Sequence, residues 1–249
     1  AATCVRDNYS MVPLQVRFFQ NALAGEDQLR QRVALALHEL LVVSGVKLRQ
    51  PSLVGPYLDL LQRNALGSWR TLLGELTLSP AMGSYLDMVN NEAAAPPANI
   101  PPDENYAREL LQLFSIGVVL LHEDGAPVLD AAGRPVPAWG QETIRNLARV
   151  FTGWTFATLP GASARRNNPP NWKAPLWLYR NAAGLDATHD KGEKRLLDYP
   201  GAPHAVLPAG QDGLVDLDQA LDNVFHHPNV GPFVGRKLIQ RLVTSNPSP

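Results

Sequence analysis

The sequence predicts a mainly α-helical single domain over residues 1–249, irregular in its helix packing, with a small β-hairpin and a long Pro/Gly-rich excursion at about 159–203. Three observations predict it. Apolar residues recur at intervals of three and four through most of the chain, the pattern of helices that bury one face. Residues suited to helix ends stand where those runs begin and stop, Ser68, Asp103, Gly117 and Pro228 among them. Departures from helical spacing are confined to two stretches, 118–136 and 159–203.

Taken in order, Val12 to Leu23 reads as an amphipathic helix anchored by Phe18 and Phe19. Glu26 to Val43 is apolar nearly all round, with Leu29, Val33, Leu35, Leu37, Leu40 and Leu41, which predicts an enclosed central helix. Pro51 to Ala65 and Ser68 to Leu78 follow, the second with Ser68 as its cap. A short helix around Met82 to Met88 ends at Asn90-Asn91, and an Ala/Pro-rich loop from Ala93 to Pro102 leads into a helix from Asp103 to Gly117. Asp103 suits its start and Gly117 a left-handed stop. Gln141 to Phe151 closes at Thr152-Gly153-Trp154. Leu214 to Phe225 and Pro228 to Val243 form a final pair, with Pro228 suited to a first turn.

The two irregular stretches differ in kind. Between Val118 and Val136, Glu123-Asp124-Gly125 and Ala132-Gly133-Arg134-Pro135 are turn signals flanking short apolar runs, so a small surface hairpin is predicted. The stretch 159–203 holds many prolines, glycines and asparagines with little periodicity. It predicts an ordered excursion over the surface, pinned by Trp172, Trp177 and Tyr179.

Composition bounds the function. Hydrophobic residues at 45% and charged residues at 18% describe a globular chain with enough apolar material for a core. A formal net charge of -1 makes no electrostatic case for nucleic acid or an anionic membrane. No apolar run reaches the roughly 18 residues needed to cross a bilayer. The single cysteine, Cys4, excludes an internal disulfide framework and reads as an unpaired bystander. A start at Ala1 and a stop at Pro249 just after a strong helix are expected of a portion of a longer precursor.

The densest polar constellation lies in the helix from Asp103. Asn105, Arg108, Glu109 and Gln112 fall three and four apart and share a face, while Tyr106, Leu110, Leu113 and Phe114 form a stripe expected to bury. Glu109 could orient Arg108, or accept from His38 if their helices cross. Ionised groups are costly to bury unless paired, so a structural ion-pair network and an anion- or sugar-binding face both stay open. Arg145 and Arg149 add guanidiniums whose planar forks suit carboxylate, sulfate or phosphate.

Histidines supply the other candidates. His38 sits within an apolar helix, as a satisfied core residue or as a ligand or proton shuttle; either way its ring nitrogens need partners. His189-Asp190, with Lys191 and Lys194, could act as base and orienter or bind a metal jointly. His38, Asp87, Glu109 and His189 would supply nitrogen and oxygen ligands for a divalent cation, but no two share a helix at ligand spacing. The sequence names no cofactor. His226-His227-Pro228 reads as a helix junction, and Tyr106, Trp154 and Phe156 as core or as a sugar-stacking platform. Ser115 and Thr152 lack a nucleophile motif.

The order of motifs resembles the bacterial family known as domain of unknown function 1800. The blocks are Arg32 to His38, Tyr85-Leu86-Asp87 with Asn90 or Asn91, Glu104 to Leu111, Ala148 to Trp154, His189 to Lys194, and His227-Pro228 with Phe233, Lys237-Leu238 and Leu242-Val243. Leu37 stands where the family tends to have tryptophan, and Asp103 where it typically has asparagine. The resemblance implies a largely helical fold and an exported protein, periplasmic or extracellular. Such proteins are often encoded beside a second exported family, whose product is then a candidate partner. No activity is implied.

Two function classes follow. One is a binding or hydrolase-like pocket for an extracytoplasmic carbohydrate or anionic ligand. His38, Glu109, His189 and Asp190 would be its acid–base groups, and Asn105, Arg108, Arg149, Trp154 and Lys194 would position the ligand. The other is a non-catalytic helical scaffold or interaction module in a surface assembly. Convergence of those side chains around one hollow separates the two.

Overall fold

In the computed structural model, residues 9–247 apart from 96 and 98 are described; Cys4 lies outside them. Nine helices occur among the described residues: α1 Val12–Ala24, α2 Gln28–Leu40, α3 Pro51–Asn64, α4 Trp69–Thr77, α5 Pro80–Tyr85, α6 Asn105–Gln112, α7 Gln141–Val150, α8 Gly213–Phe225 and α9 Val230–Leu242. Two antiparallel two-stranded sheets join β1 Trp154–Thr155 to β2 Trp177–Leu178 and β3 Lys194–Arg195 to β4 Val206–Leu207. The protein is mainly α, as its periodicity predicts.

Helix packing follows the apolar stripes. α3 packs on α2, α4 and α5, α4 on α8, α7 on α6, α8 and β3, and α9 returns to α2. Leu41, Leu73, Leu76, Met82, Leu110, Leu111, Ile144 and Val150 are fully enclosed. Tyr106 and Phe151 meet edge to face at 4.9 Å and 87°, the arrangement favoured by the ring quadrupoles. Thr77 Oγ1 donates to the Leu73 carbonyl at 2.7 Å and accepts from the Tyr106 hydroxyl at 2.7 Å, so the phenol is buried with its polar end satisfied.

Several local expectations need correction. Phe18 and Phe19 do not anchor α1: they are 42% and 61% exposed, and no residue of α1 is buried. α2 is enclosed on one side only, with Ala34, Ala36, Leu37 and Leu40 inside and Leu29 exposed. α1 packs on α2 and α3, and among the described residues nothing encloses its outer side. Leu113 is exposed rather than buried. α6 closes with a wide turn, in which the Phe114 N–H reaches the Glu109 carbonyl at 3.1 Å and the Ile116 N–H the Leu111 carbonyl at 3.0 Å. That turn rotates Leu113 outward and brings Phe114 and Ile116 into the core. Gly117 then stops the segment at φ +79, the left-handed geometry glycine tolerates.

Caps and connections show similar adjustments. Ser68 holds the N-cap position of α4, but its hydroxyl makes no capping bond. Pro228 lies in the turn before α9, whose N-cap is Asn229. The region 118–138 forms the expected small hairpin through antiparallel bridges, Val119 with Pro137, Leu121 with Pro127 and Leu129 with Pro135. The excursion is at the surface only in its first part. Further along it carries the buried residues Asp186, Thr188, His189 and Lys194, which turn the chain back into the core.

Candidate functional site

Four of the residues singled out from the sequence meet in one place. α7 ends at Arg149, and the turn after it carries Thr152 and Gly153. The returning segment 186–194 lies across that turn, and the first turn of α8 closes it from the far side with Asp216. Gly153 makes the approach possible. It has φ +86, and a Cβ there would meet the backbone N of His189 at 3.0 Å and its Cα at 3.1 Å. A Cβ on Gly213 would meet His189 Cγ at 3.0 Å, so a second glycine makes room for the ring.

His189 is 2% exposed. Its Nδ1 stands 2.9 Å from the Thr152 carbonyl oxygen and its Nε2 2.9 Å from Asp216 Oδ2. Both ring nitrogens therefore face acceptor atoms of the protein, within hydrogen-bond distance. Lys194, also buried, donates from Nζ to Asp216 Oδ2 at 2.7 Å, to the Asp190 carbonyl at 2.6 Å and to the Gly192 carbonyl at 3.1 Å. Three donors meet three acceptors. Gln211 Nε2 donates to Asp216 Oδ1 at 2.7 Å, which occupies the second carboxylate oxygen. Burial pushes the Asp216 carboxyl up, but the bonds from His189, Lys194 and Gln211 outweigh it and hold the group below the usual carboxylate range.

A second pair continues this network. Arg149 binds Asp190 through both prongs, Nε to Oδ2 at 3.0 Å and Nη2 to Oδ1 at 2.8 Å. Its Nη1 donates to the Glu193 carbonyl at 2.8 Å and to Asn146 Oδ1 at 3.0 Å. Burial raises the Asp190 carboxyl, and Arg149 with the Gly192 N–H reverses that and holds it low. The Asp190 bond in turn raises Arg149. Thr152 Oγ1 donates to the Arg149 carbonyl at 2.7 Å and accepts from the Asp190 N–H at 2.8 Å. A Cβ on Gly192 would come within 2.2 Å of Arg149 Nη2, so the clamp is packed without spare space.

The remaining candidates lie elsewhere. Glu104, just ahead of α6, accepts from Arg108 at 3.0 Å and from Gln141 at 2.6 Å, with Arg145 at 3.8 Å. Arg108 therefore pairs backward with Glu104 and not with Glu109. Lys47 Nζ binds both oxygens of Asp87 at 3.0 Å, and Asn105 Nδ2 reaches Asp87 at 3.4 Å. Glu109 keeps one carboxylate oxygen, Oε2, enclosed without a hydrogen-bond partner, and burial raises its carboxyl despite the opposing pull of Arg108. Trp154 is in the core at 1% exposure. His38 lines a cleft between α1, α2 and α3 with Leu14, Phe18, Leu35 and Leu61, and no residue of the network around His189 lines that cleft. Burial lowers its imidazole, partly offset by Glu39.

The sequence reading missed Asp216, which organises the network, together with Gln211 and Asn146. A signal was present. Asp216 falls on the same stripe of α8 as Leu217, Ala220, Leu221 and Val224, all of them buried. A carboxylate at such a position requires a buried cation or several donors. Among the described residues no group of three His, Cys, Asp or Glu side chains is placed to hold a metal ion. No helix among them is long and apolar enough to cross a membrane.

Five clefts among the described residues are lined by side chains outside the network. Chemically, the network can hold three segments of chain in register: the end of α7, the returning stretch 186–194 and the start of α8. No curated protein and no solved structure shows significant similarity to the chain. A family model described as protein of unknown function (DUF1800) matches residues 5–249, nearly the whole length, and the chain belongs to that family.

Proposed function

We propose that this chain is a non-catalytic helical scaffold or interaction module, working outside the cytoplasm as a component of a surface or extracellular assembly. The observation that carries this reading is the closure of the network around Asp216. A general base or metal ligand needs a lone pair facing its target. Both ring nitrogens of His189 face protein acceptors, and all three protons of Lys194 are used within the chain. Arg149 spends its fork on Asp190, so it has no bidentate face left for a ligand. The extracytoplasmic location rests on the family resemblance.

The test compares His189→Ala with Glu109→Gln. On this reading His189→Ala lowers the melting temperature strongly, since it leaves the Asp216 carboxylate short of a donor in a buried position. A His189→Ala protein that melts like the wild type while losing hydrolysis of, or binding to, a carbohydrate would overturn the reading. Cell fractionation tests the location.

One observation favours a second reading, a small polar ligand on the α6 face. Glu109 Oε2 is enclosed without a partner, one helical turn from Asn105, which is itself tied to Asp87. A carboxyl raised by burial can donate to a sugar hydroxyl or an anionic oxygen. Thermal shifts with simple sugars and with inorganic phosphate, lost in Glu109→Gln, would support it. On the scaffold reading no such shift occurs, and Glu109→Gln melts at or above the wild-type temperature.

A further inference from the structure

The cleft between α1, α2 and α3 combines apolar walls with donors that the chain leaves unused. Leu14, Phe18, Leu35, Leu58 and Leu61 line it, together with Arg17, Asn21, Arg32 and His38. Its free volume is about 60 Å³, room for about four water-sized groups. Gln31 and Gln62, also in the lining, satisfy each other at 3.2 Å. The other polar groups are not satisfied in this way. No group among the described residues hydrogen-bonds to the His38 ring or to the Asn21 side-chain amide. Arg17 Nη2 stands 3.1 Å from Asp59 Oδ1 but off the direction of its N–H bonds, so this enclosed nitrogen has a charged neighbour and no hydrogen bond. Arg32 is exposed and reaches only the Ala22 carbonyl, at 3.5 Å.

Counting the charges around the cleft selects the ligand. Asp59 is matched by Arg17, and Glu39, next to His38, is matched by Arg241 of α9 at 2.7 Å. Burial lowers the His38 imidazole, so near neutral pH the ring carries one proton to donate and no charge. Arg32 has no carboxylate beside it among the described residues, which leaves one unmatched cation on a cleft without an acidic lining residue. Apolar walls with a few placed polar groups suit a small molecule with an apolar body. One free guanidinium suits a single negative charge, and its planar fork matches a carboxylate. A doubly charged phosphate would exceed the charge on offer.

We propose that this cleft binds a monocarboxylate with a short apolar tail, its head on Arg32 and Asn21 and its tail among Leu35, Leu58 and Leu61. Arg32 already reaches the backbone of Ala22, the neighbour of Asn21, so the two donors stand at the same end of the cleft. The tail runs toward His38, six residues and about 9 Å further along α2. The free volume limits it to about four carbons. The site goes beyond the module reading and does not depend on it, because no residue of the network around Asp216 lines the cleft.

Titration of the 249-residue protein with sodium pentanoate, read by calorimetry and by the NMR signals of the His38 ring, tests this. Saturable binding is expected, with a dissociation constant of roughly 1 mM, and the His38 signals should move with it. Acetate, which lacks the tail, and 1-pentanol, which lacks the charge, should each bind roughly tenfold more weakly or worse. Arg32→Gln should weaken pentanoate by roughly tenfold or more with an unchanged melting curve, since that side chain is exposed. Absence of saturation by about 20 mM overturns the proposal. So does 1-pentanol binding as well as pentanoate, which would mark an apolar hole alone. Sulfate competing on equal terms would mark a bare surface cation and overturn it too, as would an affinity that Arg32→Gln leaves intact. None of these results bears on the module reading, which is decided by the stability and ligand tests of His189→Ala and Glu109→Gln.

Discussion

Lys194 Nζ lies 2.7 Å from Asp216 Oδ2 with the two side chains 1% and 0% exposed, an ion pair withdrawn from water and shared with His189. Removing one partner from such a pair strands the other. Asp216→Ala is therefore expected to cost about 3–5 kcal/mol in denaturant unfolding. Lys194→Met should cost a similar amount. The double variant Lys194→Met/Asp216→Ala should lose less than the sum of the two, with a coupling on the order of 1–3 kcal/mol. Strict additivity would show that the pair does not interact as its geometry requires.

Gly153 tests the packing that places this pair. Its φ of +86 and the contacts a Cβ would make with the His189 backbone leave no low-energy response to a side chain. Gly153→Ala is expected to destabilise by about 2 kcal/mol or more, from the left-handed backbone alone plus the displaced neighbour. Thermal unfolding reads it directly. A melting curve superimposable on wild type would mean that the turn adopts another geometry.

Acid should act through two sets of groups. Burial lowers the His227 imidazole to about 4, so the unfolded chain takes up a proton that the folded chain refuses. The resulting stability is full above the ordinary value near 6.5 and declines as pH falls from there towards 4, by on the order of 3 kcal/mol in total. Asp216, Asp190 and Asp186 have folded values below the ordinary carboxylate range. Their contribution is present above about pH 4 and is lost as pH falls further, through their folded values. Unfolding free energy measured against pH should thus fall in two stages, and His227→Gln should shrink the upper one, leaving the part carried by His38, whose imidazole burial also lowers.

Asn229 joins the start of α9 to the chain after α6. Its Oδ1 accepts from the Leu121 N–H at 2.9 Å, and its Nδ2 donates to the Ile116 and Val119 carbonyls at 3.0 and 2.7 Å. Asn229→Ala removes the partner of the buried Ile116 carbonyl and of two part-buried backbone groups, at a cost of about 2–3 kcal/mol. Hydrogen exchange at Leu121 should accelerate in step with that loss. Protection unchanged at Leu121 would contradict the tie.

Much of the fold was legible in the sequence. α3, α7 and α8 begin and end within a residue or so of their apolar runs, and Gly117 stops its segment as its type suggests. The polar row of α6 was legible too, because three-and-four spacing is set by the helix itself. Less visible was which way α1 and the first half of α2 face, since apolar periodicity reports a buried side only when something covers it. Phe19 and Leu29 satisfy the pattern and remain exposed.

By itself the sequence determined the helices, the family and the set of charged residues that had to be accommodated. Tertiary structure alone decided how those charges were satisfied. His189 meets Asp216 across 27 positions of chain, Lys194 meets the same carboxylate across 22, and Arg149 meets Asp190 across 41. Local propensity carries no information over such separations. It marks which face of a helix is fit to turn inward, whereas what meets that face depends on how the elements pack, and on the cost of leaving any buried charge alone.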